Sequence, residues 1–260
     1  MMTNAMALAG VVVREMYRRK DFYVLLILTV IITLAMGSVN FFNDDKIVRY
    51  LKELCLLLIW ISTLVMAISM AARQLPMERE SRTIFPLLAK PISRGEVILG
   101  KFLGCWFACG LALLVFYVFF SVLTGVREHD LPVLSYFQAI WLHWMMLGIV
   151  TAMVILGSLI FAAPSSNATI SFVVSAGILL LGRHLNKVAL QMSEPSSTIL
   201  YTIYYNIPHL EIFDVRDLIV HNQPPIEWGW WALATPYAAV YIAIFLFAAC
   251  WIFKRKSLSA

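Results

Sequence analysis

Over residues 22–40 the chain carries no charged side chain for nineteen positions. A backbone in hydrocarbon must satisfy its own N–H and C=O groups, so such a run crosses a membrane only as a helix. At about 1.5 Å per residue it reaches about 28 Å, close to the ~30 Å core of a bilayer. Further apolar runs follow at 54–72, 96–123, 136–163, 168–181 and 228–253. The expectation is an all-α polytopic membrane protein with six transmembrane helices, forming one domain over residues 1–260. Composition agrees. The chain is 61% hydrophobic and 13% charged, whereas soluble domains run near half apolar and about a quarter charged.

The net charge of +5 does not point to nucleic acid. Basic residues cluster at the ends of apolar runs, where they orient a chain in a bilayer. A phosphate-binding face would set them in polar surroundings, and no nucleic-acid partner is expected.

Residues 5–20 read as an amphipathic interfacial helix. Leu8, Val12 and Met16 repeat on one side, and Arg14, Arg18 and Asp21 on another. Its arginines would face anionic head groups, making membrane lipids a contact. The stretch ends in Arg18-Arg19-Lys20 and not in a small-residue cleavage site, so the first apolar run is expected to stay as an anchor. Residues 43–53 form a mixed-charge loop.

The longest polar interruption in the first half is 73–104, with six Lys/Arg against three Glu. Pro76, Pro86 and Pro91 preclude one smooth helix, and a short surface helix over 77–85 is expected. Ser93 and Glu96 have capping-box spacing, which places the start of the third span. Gly100, Gly104 and Ala108 recur every fourth residue, a stripe where another helix backbone can approach.

Residues 124–135 read as a short loop. The fourth run opens on Trp141 and Trp144, expected as interface anchors, and 164–167 as a tight turn. The outer segment, 182–227, has Ile199, Leu200, Ile203, Tyr204, Ile207 and Leu210 at helical spacing, interrupted by Pro208. Short helices on or dipping into the membrane fit it. Trp228, Trp230 and Trp231 mark one end of the last span, Trp251 and Lys254-Arg255-Lys256 the other.

With six spans and both termini inside, thirteen of the twenty Lys/Arg face the cytoplasm, as the positive-inside rule requires. Ionisable residues are nearly missing from the runs, so the residues of an ion-coupled carrier are not there. His143 is the one clear case, read as interfacial. Cys55, Cys105, Cys109 and Cys250 lie in or beside apolar runs without metal-ligand neighbours. His184, His209 and His221 have no standard metal spacing. Protease, P-loop and hydrolase motifs are also missing. No cofactor, metal or catalytic residue is expected, so energy must come from another protein.

Residues Arg79-Glu80-Ser81-Arg82-Thr83, then Leu87-Leu88-Ala89-Lys90-Pro91-Ile92-Ser93-Arg94, then Glu96 and Gly100-Lys101-Phe102-Leu103-Gly104 resemble the first intracellular loop of ABC-2 type transporter permeases. The subgroup most resembled is that of multicopper-enzyme (nitrous-oxide-reductase) maturation and gliding-motility permeases. The motif covers about thirty residues, while the order of apolar runs matches over nearly the whole chain. The resemblance implies an exporter subunit in the bacterial inner membrane. A second permease copy would complete a homodimer, and two copies of a cytoplasmic ABC ATPase would dock. It implies that 73–95 is the coupling loop, with Glu78, Arg79, Glu80, Ser81, Arg82 and Thr83 as the coupling helix. The alternative is an ATP-driven mechanical relay or membrane scaffold that acts through 182–227 on an outer partner protein, with no substrate crossing.

Overall fold

A computed structural model describes residues 2–18, 20–37, 44–80, 93–128 and 132–255. Every regular element among them is helical. In order they are α1 (Met2–Arg18), α2 (Lys20–Gly37), α3 (Asp44–Glu80), α4 (Arg94–Glu128), α5 (Val133–Ile160), α6 (Pro164–Gln191), α7 (Ser196–Asn206), a 3₁₀ turn (Leu210–Phe213), α8 (Arg216–Val220) and α9 (Trp228–Arg255). Among the described residues four helical segments are long and apolar enough to cross a membrane: Val48–Glu78, Arg94–Glu128, Val133–Ile160 and Trp228–Arg255. Tyr23–Ala35 and Pro164–Leu180 are shorter apolar helical stretches. The chain is an all-helical, multi-pass membrane protein.

Several boundaries differ from those read in the sequence. The mixed-charge stretch expected as a loop is, from Asp44 on, the opening of α3. At its far end α3 does not stop at Ala72 but continues through Pro76 to Glu80. Proline removes one intrahelical hydrogen bond, but the turn around it is packed, with Gln74 and Leu75 buried. Met77–Glu80 therefore continues α3 instead of starting a separate surface helix, and residues 81–85 lie outside the described residues. The turn expected at 164–167 falls at 161–163. Pro164 opens α6, where its missing N–H costs nothing. α6 then runs to Gln191, ten residues beyond the expected end at 181.

α5 is the central helix, with α3, α4, α6 and α9 packed against it. Its contact with α4 is built from two indoles and two glycines. The Trp106 and Trp144 rings stack with centroids 4.4 Å apart. The Trp106 indole N–H donates to the Trp144 carbonyl at 2.9 Å, and the Trp144 N–H to the Trp106 carbonyl at 3.0 Å. A Cβ at Gly110 would stand 2.6 Å from Trp144 Nε1, and one at Gly148 2.8 Å from Trp106 Nε1. The glycines are the slots that admit the rings. Trp141 donates to Thr235 Oγ1 of α9 at 2.9 Å. Both tryptophans read as interface anchors thus use their N–H groups inside the bundle. His143, expected at an interface, is buried too. Its Nε2 lies 3.0 Å from Thr63 Oγ1, and its ring stacks on Trp60 at 4.7 Å.

α1 lies along the first part of α4. A Cβ at Gly100 would come within 2.8 Å of Leu8 Cβ, and one at Gly104 within 2.6 Å of Val12 Cβ and 3.0 Å of Ala9 Cα. Ala108, the third residue of the stripe, is fully buried. Substituting Gly104→Leu is expected to destabilise the protein by about 1–3 kcal/mol through overpacking. This is read as a lower thermal midpoint in detergent, and Val12→Ala should recover part of the loss. An unchanged midpoint would mean that α1 does not depend on this contact.

Candidate functional site

The polar interruption singled out in the sequence joins the end of α3 to the start of α4. Both of its flanks are fastened to the bundle. On the α4 side the backbone N–H of Ser93 donates to Glu96 Oε2 at 2.7 Å, and the N–H of Glu96 donates to Ser93 Oγ at 3.2 Å. Two amide groups that a helix start leaves unpaired are thereby satisfied reciprocally. Arg94 reaches the other way. Its Nη1 donates to the carbonyls of Phe253 at 2.7 Å and Lys254 at 3.2 Å, and its guanidinium lies 5.5 Å from the Phe253 ring centroid. A side chain at the start of α4 thus completes the C-terminal carbonyls of α9.

On the α3 side, Lys101 Nζ meets Glu78 Oε1 at 2.5 Å, with side-chain exposures of 8% and 20%. This pair sits beyond Pro76, the weak point of α3, and ties the last turn of α3 to α4. Glu78, read in the sequence as part of a docking surface, pairs with Lys101 within the fold. Arg79 and Glu80 complete the helix. Ser81, Arg82 and Thr83, together with Pro86 and Pro91, lie outside the described residues. Lys101 and Arg94 were missed as structural partners because their mates are distant in sequence. A lysine one turn inside an apolar run, with no acidic residue at helical spacing after it, was the available signal for Lys101.

The opposite end of the bundle carries a second polar constellation. Lys52 of α3, 1% exposed, pairs with Glu128 at the end of α4 at 2.5 Å and donates to Asn222 Oδ1 at 2.7 Å. Gln138 of α5 donates through Nε2 to the Ile226 carbonyl at 3.0 Å and accepts from the Ile226 N–H at 2.9 Å. Arg216 lies over the Trp60 ring at 4.8 Å and is held by both oxygens of Asp214, at 2.8 and 2.9 Å. Burial opposes the Arg216 charge, but the hydrogen bonds and charge of Asp214 outweigh it and raise its pKa. Leu210, Phe213, Ile219 and Val220 are buried. The second half of the expected outer segment is therefore folded against the bundle as a cap, with short helical turns at Leu210–Phe213 and Arg216–Val220.

Neither constellation pairs a nucleophile with a base, and no group of three or more metal-ligating side chains occurs among the described residues. The arrangement has two fastened flanks at one end of the bundle and a folded cap at the other. The sequence matches the family described as ABC-2 family transporter protein over residues 13–258, and the chain belongs to that family. It is a membrane transport component, and membership implies an ABC ATPase partner in general. A search of curated proteins finds no match.

Breaking the pair at the fastened end tests its weight. Lys101→Met removes the enclosed ammonium that meets Glu78, and is expected to cost ~2 kcal/mol. The exchange Glu78→Lys with Lys101→Glu should recover most of it in thermal unfolding in detergent. Equal midpoints for the single variant and the parent would show the pair to be energetically idle.

Proposed function

We propose that this chain is the membrane subunit of an exporter, driven by a separate cytoplasmic ATPase that docks on the segment following Glu78. The reading rests chiefly on one observation: both flanks of 81–92 are tied to the bundle, through Glu78–Lys101 on one side and Ser93–Glu96 with Arg94 on the other. A partner that displaces the segment then pulls directly on α3, α4 and α9, because no slack separates it from them. Arg79, Glu80, Arg82 and their neighbours Ser81 and Thr83 supply the mixed polar surface such a partner would grip, and mixed charge favours selective docking. Glu78 acts as the tether behind that surface.

In this reading the fastened end faces the cytoplasm with both termini, the cap faces outward, and the membrane is the bacterial inner membrane. Two copies of the permease form the membrane unit, and each engages one ATPase. The ATPase hydrolyses ATP, and the permease transmits the motion. A second reading is a relay in which the cap side passes motion to an outer partner protein and nothing is translocated. It is favoured by the exposed apolar side chains Ile199 and Tyr205 on α7, next to the folded cap.

The deciding experiment is a pull-down of the intact protein in mild detergent, followed by an ATPase assay of the eluate. An ATPase is expected to co-purify, and Glu80→Arg or Arg82→Glu should abolish its capture while the permease still inserts. Capture unchanged by both reversals would sink the docking assignment. For the relay, deletion of 196–206 should abolish activity in cells with ATPase capture intact and no exported molecule found.

A further inference from the structure

We propose that Lys52 is a latch of a hinged cap, residues 207–227, and that loss of the Lys52–Asn222 hydrogen bond makes the cap open more often. The geometry starts from the end of α8. The N–H of His221 donates to Asp217 at 3.1 Å, and that of Gln223 reaches back to Leu218 at 2.9 Å. This closing turn puts Asn222 in the left-handed region, at φ 49°, where asparagine is one of the few side chains tolerated. The turn delivers Asn222 Oδ1 to Lys52 Nζ at 2.7 Å. Lys52 is simultaneously paired with Glu128 at 2.5 Å. One buried ammonium therefore joins three elements: the start of α3, the end of α4 and the cap.

The cap is also held by its buried side chains Leu210, Phe213, Ile219 and Val220, by Arg216 over the Trp60 ring and by the His209 N–H, which donates to the Tyr237 hydroxyl at 2.8 Å. Gln138 and Ile226 exchange two neutral hydrogen bonds. Arg49 and His221 meet on an exposed surface, where such contacts contribute little. Charge-assisted hydrogen bonds are roughly twice as strong as neutral ones, which sets Lys52–Asn222 above the neutral hydrogen bonds of the cap. Its release is also reversible by design. When the cap lifts, Lys52 keeps Glu128 as its counter-ion, so no unpaired charge remains in the bundle. The backbone on both sides of the cap, at 207–209 and 223–227, is outside any helix, and supplies hinges. The value of an opening cap to export rests on the function proposed above; the latch itself does not.

The test uses the full chain in nanodiscs and needs no ATPase. Leu210→Cys places a thiol at a position that is 1% exposed, twelve residues from Asn222, so local fraying at the turn does not reach it. Its reaction with a membrane-impermeant maleimide is followed against the same chain without the reporter. Asn222→Gly keeps the backbone conformation and removes the acceptor; it is expected to raise the labelling rate about tenfold or more. Asn222→Asp retains an acceptor and should label near the parent rate. Lys52→Met should label at least as fast as Asn222→Gly. Labelling at the parent rate in both Asn222→Gly and Lys52→Met would overturn the latch. If Lys52→Met does not accumulate, Asn222→Gly decides alone. ATPase capture is read separately on the same protein, so failure of the transport reading and failure of the latch give different results.

Discussion

The register of the bundle depends on how α3 and α4 are paired. They run antiparallel and are joined near both ends by an ion pair, Lys52 with Glu128 and Glu78 with Lys101. Buried ion pairs do not reliably add stability over apolar contacts, because desolvation offsets much of the Coulomb attraction. They do impose position. Sliding one helix past the other by a single turn, about 5.4 Å, would break both pairs. The two helices are therefore held in one axial setting, and everything attached to their ends inherits it.

What is attached differs between the two ends. At one end the polar segment leaves α3 just beyond Glu78 and returns through the Ser93–Glu96 box, with Arg94 bonded to the last carbonyls of α9. At the other end Lys52 holds the cap. An α-helix is stiff along its length, and α3 extends for 37 residues, about 55 Å. α3 thus joins the cap end of the bundle to the Glu78 end as one helix, with the turn after Pro76 attached to α4. The Glu78–Lys101 pair supplies that attachment.

Close packing elsewhere relies on missing side chains. Gly100 and Gly104 admit α1, Gly110 and Gly148 admit the paired indoles, and a Cβ at Gly157 would stand 2.3 Å from Asn167 Oδ1. In lipid, where helix association gains little from excluding water, backbone proximity and internal hydrogen bonds do this work. Asn167 illustrates both, since Nδ2 donates to the Val154 carbonyl at 3.1 Å while its oxygen accepts from Ser171 at 3.2 Å.

The amino-acid order alone determined what local physics controls. Long uncharged runs can only be helices in hydrocarbon, and the spacing of Ser93 and Glu96 specifies a helix start because both hydrogen bonds close within one turn. The Gly100–Gly104–Ala108 stripe was likewise legible as a place for close approach. The family resemblance was legible in a short string around Arg79–Thr83. Tertiary structure decided the rest. It chose α1 as the occupant of the glycine stripe, carried α3 through Pro76, and turned Trp144 and His143 inward. It also gathered Lys52, Glu128 and Asn222 from three distant stretches into one contact. Those outcomes depend on which surfaces meet, and a charge or an indole takes its role from a partner 38 to 170 residues away in the chain.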